Sequence, residues 1–196
     1  MHGANRLGGN SLIELLVYGR IVGMAAASYS TGLTAQRRSA AAVSVARSEI
    51  DELLSARGDE NVRFLQRGIR NTMTEHAGVV RDENGLTAGL REVAEIDERT
   101  ANIGVHPDIA GYHDLAHAFD LRSMILAARA TLEAALERRE TSGCHNRSDY
   151  PHIDESQQAN LVWSGLGELT REPIPAVPSS IAGLVRDVSA DGKLVE

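Results

Sequence analysis

Residues 114–141, DLAHAFDLRSMILAARATLEAALERRET, decide the fold class of this chain. Leu121, Ile125, Leu132 and Leu136 recur at intervals that place them on one face of an α-helix. A helix with one such apolar stripe buries it against neighbouring helices. We therefore expect a helix over about residues 114–141 that packs into a helical core.

Three further amphipathic stretches precede this helix, at about residues 35–56, 60–77 and 85–103. In the first of them, Ile50, Leu53 and Leu54 form the corresponding stripe. The breaks fall at Gly58-Asp59, at residues 82–84 and at residues 104–113, which include Pro107. Short breaks between helices favour antiparallel neighbours, so the sequence predicts a mainly α fold built as an antiparallel bundle.

Composition narrows the classes of function. The chain has 196 residues, 42% of them hydrophobic, and a formal net charge of -7. The negative charge disfavours nucleic-acid binding, and no arginine-rich stripe with interleaved aromatic residues is present in the sequence. Cys144 is the single cysteine, which excludes an internal disulfide and fits a reducing, cytoplasmic setting.

A first helix is predicted from Ser11 to about Ser30, because Ser11 and Glu14 form a capping box. Its apolar residues lie nearly all round, which is typical of a buried helix. Arg20, Glu14 and two glycines interrupt the apolar stretch, so we expect no membrane insertion. The remaining sequence offers no obvious layer to cover this helix, which indicates that its partner layer lies elsewhere.

Periodicity fades after Gly143, and prolines at 173, 175 and 178 predict an extended tail ending in a short helix near residues 181–188. The chain then divides into residues 1–34, a helical domain over 35–143, and a proline-containing tail over 144–196.

The opening loop, HGANRLGGN at residues 2–10, has features of a ligand site. Gly8 and Gly9 permit close approach to a flat ligand, and the helix that follows presents unpaired amide groups that suit an anion. Arg6 offers a planar fork of donors suited to a carboxylate. Simple helix capping explains the same loop equally well, and spacing alone leaves both readings open.

Two stretches carry a resemblance to a known family. HGANRLGGNSLIELLVYGR at residues 2–20 and RRETSGCHNRSDYP at residues 138–151 resemble motifs of the flavoprotein subunits of succinate dehydrogenase and fumarate reductase. The resemblance spans about residues 1–165. It implies the end of a flavin-binding domain, here residues 1–34, followed by a spectrin-repeat-like helical C-terminal domain.

The resemblance implies roles for individual residues. Arg6 matches the arginine that binds a carboxylate of succinate or fumarate, and Ser11 and Leu12 match the pair whose backbone contacts FAD. Ser142 stands where the family has arginine, and Ser148 stands beside Asp149 where the family often has an acidic residue. The family's upstream nucleotide-binding fold and capping domain are absent from this sequence, so the FAD site is incomplete and we expect the isolated chain to be inactive.

The function implied is interconversion of succinate and fumarate by hydride transfer to or from FAD. The implied partners are a dicarboxylate substrate and an iron-sulfur subunit, and the implied location is the inner face of the cell membrane, reached through partner subunits. An L-aspartate oxidase is the alternative of the same fold, although that family usually has alanine-serine in place of Gly8-Gly9. A non-catalytic helical interaction module is the alternative from a different class.

Two further patterns are given less weight. His113 and His117, with His106 and Asp114 nearby, have the spacing of metal ligands, but no third ligand is fixed, and solvated histidines are the preferred interpretation. Cys144 beside His145 has the elements of a thiol nucleophile, but nothing in the sequence supplies an oxyanion hole. We expect no metal site and no catalytic thiol.

Overall fold

The computed structural model describes residues 10–33, 39–106, 113–164, 167–176 and 178–179. Within these residues the helices are α1 (Asn10–Thr31), α2 (Ala40–Ser55), α3 (Val62–His76), α4 (Glu83–Arg99) and α5 (His113–Glu137). The strands β1 (Glu60–Asn61) and β2 (Ile103–Gly104) pair in parallel, and β3 (Ala159–Trp163) pairs with β4 (Leu169–Pro173) in an antiparallel hairpin. The predicted mainly helical fold is confirmed.

The core lies between α3, α4 and α5. Its most deeply buried residues, each at most 1% exposed, are Leu65, Leu86, Val93, Leu121 and Leu132. Leu121, Ile125 and Leu132 confirm the apolar stripe predicted for α5, and Leu136 packs against the same core while half-buried.

Side-chain caps define where two of these helices begin. Asn61 accepts hydrogen bonds from the backbone N–H groups of Arg63 and Phe64, and Asp82 accepts one from Gly85. The first amides of a helix have no partner within it, so an aspartate or asparagine at the cap fixes its start.

α2 lies outside this core. None of its residues is buried, and Ile50 is 38% exposed. Leu53 alone of the predicted stripe packs against the core, as a partly buried neighbour. The prediction that Ile50 belongs to a buried stripe is therefore wrong, and the bundle formed by the described residues consists of α3, α4 and α5.

α1 is a regular helix whose apolar side chains face outward. Leu12, Leu16 and Tyr29 are 70%, 78% and 71% exposed. The helix begins and ends within one residue of its predicted bounds, but the described residues of this chain do not bury it. Among the described helices, α1 is also the one long and apolar enough to cross a membrane, judged by length and composition over Leu12–Thr31.

The hairpin of β3 and β4 was not predicted from the sequence. It is held to α5 by side chains: the Trp163 indole N–H donates to the Glu133 carboxylate, and Arg171 pairs with Glu137 at 2.9 Å. The prediction of a short helix near residues 181–188 lies outside the described residues, and the domain boundaries at 34 and 143 stay predictions.

Candidate functional site

Of the residues assigned to the flavin and substrate site, two belong to α1. Ser11 and Leu12 lie in its first turn, and Leu12 is 70% exposed. Arg6, Gly8 and Gly9 lie outside the described residues, so the structure does not test whether Arg6 approaches this helix end.

The start of α1 fits one edge of an anionic, flat ligand. A helix of 22 residues carries a partial positive charge at its N-terminus, and the first turn contains no acidic side chain that would compensate it. The exposed apolar side of Leu12 adds a surface suited to a ring. The assignment of this helix end to FAD stays a prediction, and the described residues supply no enclosure for the rest of that cofactor.

The second motif forms a buried cap on α5. The side chain of Arg147 is 0% exposed, and its Nη1 donates to the carbonyl oxygens of Ala135 at 2.7 Å and Leu136 at 3.2 Å. Its Nε and Nη2 donate to the two carboxylate oxygens of Asp149 at 2.7 and 2.8 Å. The guanidinium also lies over the Tyr150 ring, 5.0 Å from its centroid. Arg147 thus satisfies carbonyl groups at the end of α5 that have no partner within the helix.

Asp149 connects the same segment to α4. Its Oδ2 accepts a hydrogen bond of 2.9 Å from the backbone N–H of Glu83, in the first turn of that helix. The hydrogen bonds from Arg147 lower the pKa of Asp149 from 3.8 to about 2, against the opposing effect of burial. Arg147 and Asp149, which we call the helix clamp, place positive charge at the C-terminal end of α5 and negative charge at the N-terminal end of α4, where each is stabilising.

His145 lies half-buried beside the helix clamp. Its Nε2 donates to the carbonyl oxygen of Arg138 at 3.0 Å, and its Nδ1 accepts from Arg81 at 3.2 Å, because a carbonyl only accepts and a guanidinium only donates. Burial is the main reason that the pKa of His145 is lowered, and the guanidinium groups of Arg81 and Arg147 lower it further. The imidazole is therefore neutral at pH 7.

The negative charge of the buried Glu140 carboxylate is neutralised by Arg138. The two groups form an ion pair of 2.8 Å, and Glu140 also accepts from the backbone N–H of Asp154 at 3.1 Å. Arg138 in addition donates to the carbonyl oxygens of Gln157 and Ala159, which joins the end of α5 to the hairpin.

The histidines with metal-ligand spacing are placed as follows. Asp114 is 7% exposed and pairs with Arg63 at 3.5 Å, and His113 and His106 are exposed. Among the residues that the structure describes, no three His, Cys, Asp or Glu side chains come together as metal ligands. Cys144 is exposed, and both ring nitrogens of His145 are bonded to other groups.

Sequence reasoning assigned no role to Arg147 and did not single out Arg81. The available signal was the R-x-D spacing of Arg147 and Asp149 in the loop that follows a long helix, where a basic side chain can bond the last carbonyls of that helix. The pairing of Arg81 with this loop had no local signal, because the two segments are far apart in the sequence.

The domain is a three-helix bundle that is preceded by an apolar helix and closed by the loop of the helix clamp. Comparison with known proteins places this domain in a family. The family described as fumarate reductase flavoprotein C-term matches residues 66–173, more than half of the chain. A succinate dehydrogenase flavoprotein subunit from Rickettsia bellii is 30% identical over 97% of this chain and 32% of its own length. An uncharacterized FAD-dependent oxidoreductase from Methanocaldococcus jannaschii is 33% identical over 84% of this chain and 30% of its own length.

Solved structures of similar proteins support the same family. The Mycobacterium smegmatis Sdh1 structure in complex with UQ1 superposes with a TM-score of 0.81 at 30% identity, covering 100% of this chain and 34% of that one. E. coli quinol fumarate reductase gives a TM-score of 0.75 at 25% identity, covering 90% of this chain and 32% of that one. The chain therefore belongs to the succinate dehydrogenase and fumarate reductase flavoprotein C-terminal domain family, and it spans about a third of the length of these relatives.

Proposed function

We propose that this chain is the C-terminal part of a flavin-dependent oxidoreductase that interconverts succinate and fumarate. The observation that carries the proposal is the similarity to a succinate dehydrogenase flavoprotein subunit over 97% of the chain. This chain spans about a third of the length of such proteins, so the rest of the proposed active site comes from sequence that this chain does not contain.

Within that enzyme, three residues of this chain have assigned tasks. Arg6 binds a carboxylate of the dicarboxylate and orients the substrate carbon for reaction. Ser11 and Leu12 present the first backbone amides of α1 to the flavin, where a helix N-terminus stabilises negative charge. FAD, when bound, supplies the hydride acceptor and donor. None of these three residues is assigned a proton transfer in this scheme.

An iron-sulfur subunit is the proposed electron-transfer partner, with the assembly at the inner face of the cell membrane. Support comes from the relatives, since the solved structures with high TM-scores include an Sdh1 complex and a quinol fumarate reductase. The outward-facing apolar side chains of α1 and the unburied faces of α2 fit a chain that is covered by further protein.

The test is Arg6→Ala in the protein that carries both this chain and its upstream flavin-binding portion. Loss of one member of a desolvated charge pair costs about 2–5 kcal/mol, so kcat/KM for succinate should fall by about 30-fold to several thousand-fold. Flavin absorbance should stay unchanged. Lysine should rescue little, because a point charge does not reproduce the two parallel hydrogen bonds of a guanidinium.

Arg91→Ala is the matched control, because Arg91 is exposed on α4 and its ion pair with Glu95, at 3.9 Å, lies on the surface. It should leave kcat/KM within about twofold of the parent, since such surface pairs contribute little. Near-normal turnover of succinate and fumarate by Arg6→Ala would remove the substrate role from this position. Turnover of L-aspartate in place of succinate would favour the oxidase, and full activity after deletion of the whole chain would favour an interaction module.

A further inference from the structure

A groove of about 770 Å³ lies between the end of α5, the loop that follows it and the hairpin. Its apolar lining includes Ile153, Leu161 and Ile174. Its polar lining includes Arg81, Ser142 and His145. Ile153 and Ile174 are 73% and 55% exposed, so the described residues leave the apolar side of the groove open.

Arg81 is the cation of this groove. Its Nε donates to the carbonyl oxygen of Gly78 at 3.0 Å, and its Nη1 donates to Nδ1 of His145 at 3.2 Å. These two bonds fix the plane of the guanidinium while leaving its charge uncompensated. None of the ion pairs formed within the described residues involves Arg81.

The other charges around the groove are paired with one another. Arg138 pairs with Glu140 at 2.8 Å, and Arg147 pairs with Asp149 at 2.7 Å. The neutral imidazole of His145 adds no charge. The groove therefore carries a net positive charge, which is centred on Arg81.

Ser142 supplies a second donor. Its backbone exchanges hydrogen bonds with His145 at 2.9 and 3.0 Å, whereas its hydroxyl bonds to none of the described residues. A half-buried guanidinium, a hydroxyl that bonds to none of the described residues and an apolar wall together suit a planar monoanion attached to an apolar body.

We propose that this groove binds a carboxylate that carries a short apolar chain, with Arg81 and Ser142 contacting the carboxylate and Ile153, Leu161 and Ile174 contacting the chain. Two sources have this chemistry, a short-chain fatty acid and the C-terminal carboxylate of a peptide that ends in an apolar residue. The proposal does not depend on the flavin reaction.

Isothermal titration calorimetry of the 196-residue chain tests the proposal with four probes: hexanoate, hexanamide, acetyl-Ala-Ala-Leu with a free carboxylate, and the same peptide amidated. Hexanoate or the free-acid peptide should saturate, and the tighter of the two identifies the source. The neutral partners should bind at least about tenfold more weakly, because a charge-assisted hydrogen bond is lost.

Two variants report on the two halves of the groove. Arg81→Gln should weaken binding of the acid probes by about ten- to a hundredfold. Ile153→Ser, which adds no charge, should weaken it by about three- to tenfold through loss of apolar contact, and because Ile153 is 73% exposed this change leaves folding intact. Arg91→Gln, on the exposed face of α4, should bind like the parent.

Three results would overturn the proposal. The first is that neither acid probe saturates at about 50 mM, a concentration well above the Kd expected of one charge-assisted contact plus apolar burial. The second is that hexanamide binds as tightly as hexanoate. The third is that Ile153→Ser, with its circular dichroism spectrum unchanged, retains the affinity of the parent.

Discussion

At the residue scale, the helix clamp explains why a charged side chain is fully buried beside α5. Burying a guanidinium is costly unless its charge is paired and its N–H groups are bonded. Arg147 meets both conditions, through the two oxygens of Asp149 and the last carbonyls of α5. Arg147 therefore has a structural role in the motif at residues 138–151, because together with Asp149 it joins the end of α5 to the start of α4.

Arg147→Ala should lower the free energy of unfolding by about 2–4 kcal/mol, because Asp149 and the carbonyl groups of α5 lose their partner. Urea titration followed by circular dichroism measures this. Arg91→Ala, which removes an exposed pair, should change the same quantity by less than about 0.5 kcal/mol. Equal effects of the two changes would mean that the clamp contributes no more than a surface pair.

Asp149 gives the clamp a defined dependence on pH. Its folded pKa of about 2 lies below the ordinary 3.8, so its contribution to stability is fully present above about pH 4 and is lost as the pH falls toward 2. Asp149→Asn should lower stability at pH 7 and flatten the decline between about pH 4 and pH 2. Urea midpoints across this range measure both effects.

Asp120→Asn serves as the control for this pH series. Asp120 is exposed on α5 and forms none of the ion pairs found among the described residues, so its replacement should leave the slope of the parent in place. A slope below pH 4 that is the same in Asp149→Asn and in the parent would show that the clamp does not titrate as described.

At the scale of elements, the sequence predicted secondary structure well where burial of one helix face requires apolar residues at a regular spacing. The stripe of Leu121, Ile125 and Leu132 predicted α5 because one face of that helix meets α3 and α4. The similar stripe at Ile50 was misleading, because Ile50 is exposed. Apolar spacing shows which face of a helix can be buried, but it does not show whether this chain supplies another element to cover that face.

The hairpin and the candidate site were harder to predict. β3 and β4 are held to α5 by polar contacts such as Trp163 with Glu133, and such contacts leave no period in the sequence. Arg81 and His145 meet across a gap of 64 residues, so their pairing depends on how α3, α4 and α5 pack. Arg6, Ser11 and Leu12 were assigned through motif resemblance, and those assignments stay predictions.

Gly89 of α4 lies close to side chains of both α3 and α5. A Cβ atom there would lie 3.0 Å from both the Cβ of His76 and the Cδ2 of Leu132. Alanine gains about 1 kcal/mol of helix propensity over glycine, but overpacking costs about 1–3 kcal/mol where a neighbour cannot move. The His76 Cβ is fixed to the backbone of α3, so Gly89→Ala should lower the free energy of unfolding.

Gly68→Ala is the matched change in α3. Its new Cβ would meet only the end of the flexible Ile96 side chain, at 3.1 Å, so stability should stay level or rise by up to about 1 kcal/mol. Urea titration of both variants should rank Gly89→Ala below Gly68→Ala. The reverse ranking would show that α3 and α4 separate easily at this position.

At the scale of the whole molecule, the chain contains two kinds of structure. The bundle of α3, α4 and α5 has its own buried core, whereas α1 presents apolar side chains that its described neighbours do not cover. A helix without tertiary packing is marginal in water even when its sequence favours helix. α1 should therefore open locally far more often than the bundle does.

Hydrogen exchange on the isolated chain tests this difference. The slowest amides should lie in the bundle, near Leu65, Val93 and Leu132, because they open only with global unfolding, whereas those of α1 should exchange at least about a hundredfold faster. A variant without residues 1–38 is the control, and its bundle should keep the protection seen in the parent. Addition of the upstream flavin-binding portion should slow exchange in α1 selectively if, as proposed, that portion covers the helix. Should residues 12–24 instead be the slowest to exchange in the isolated chain, α1 would have a partner within this chain, and the proposal that further protein covers it would fail.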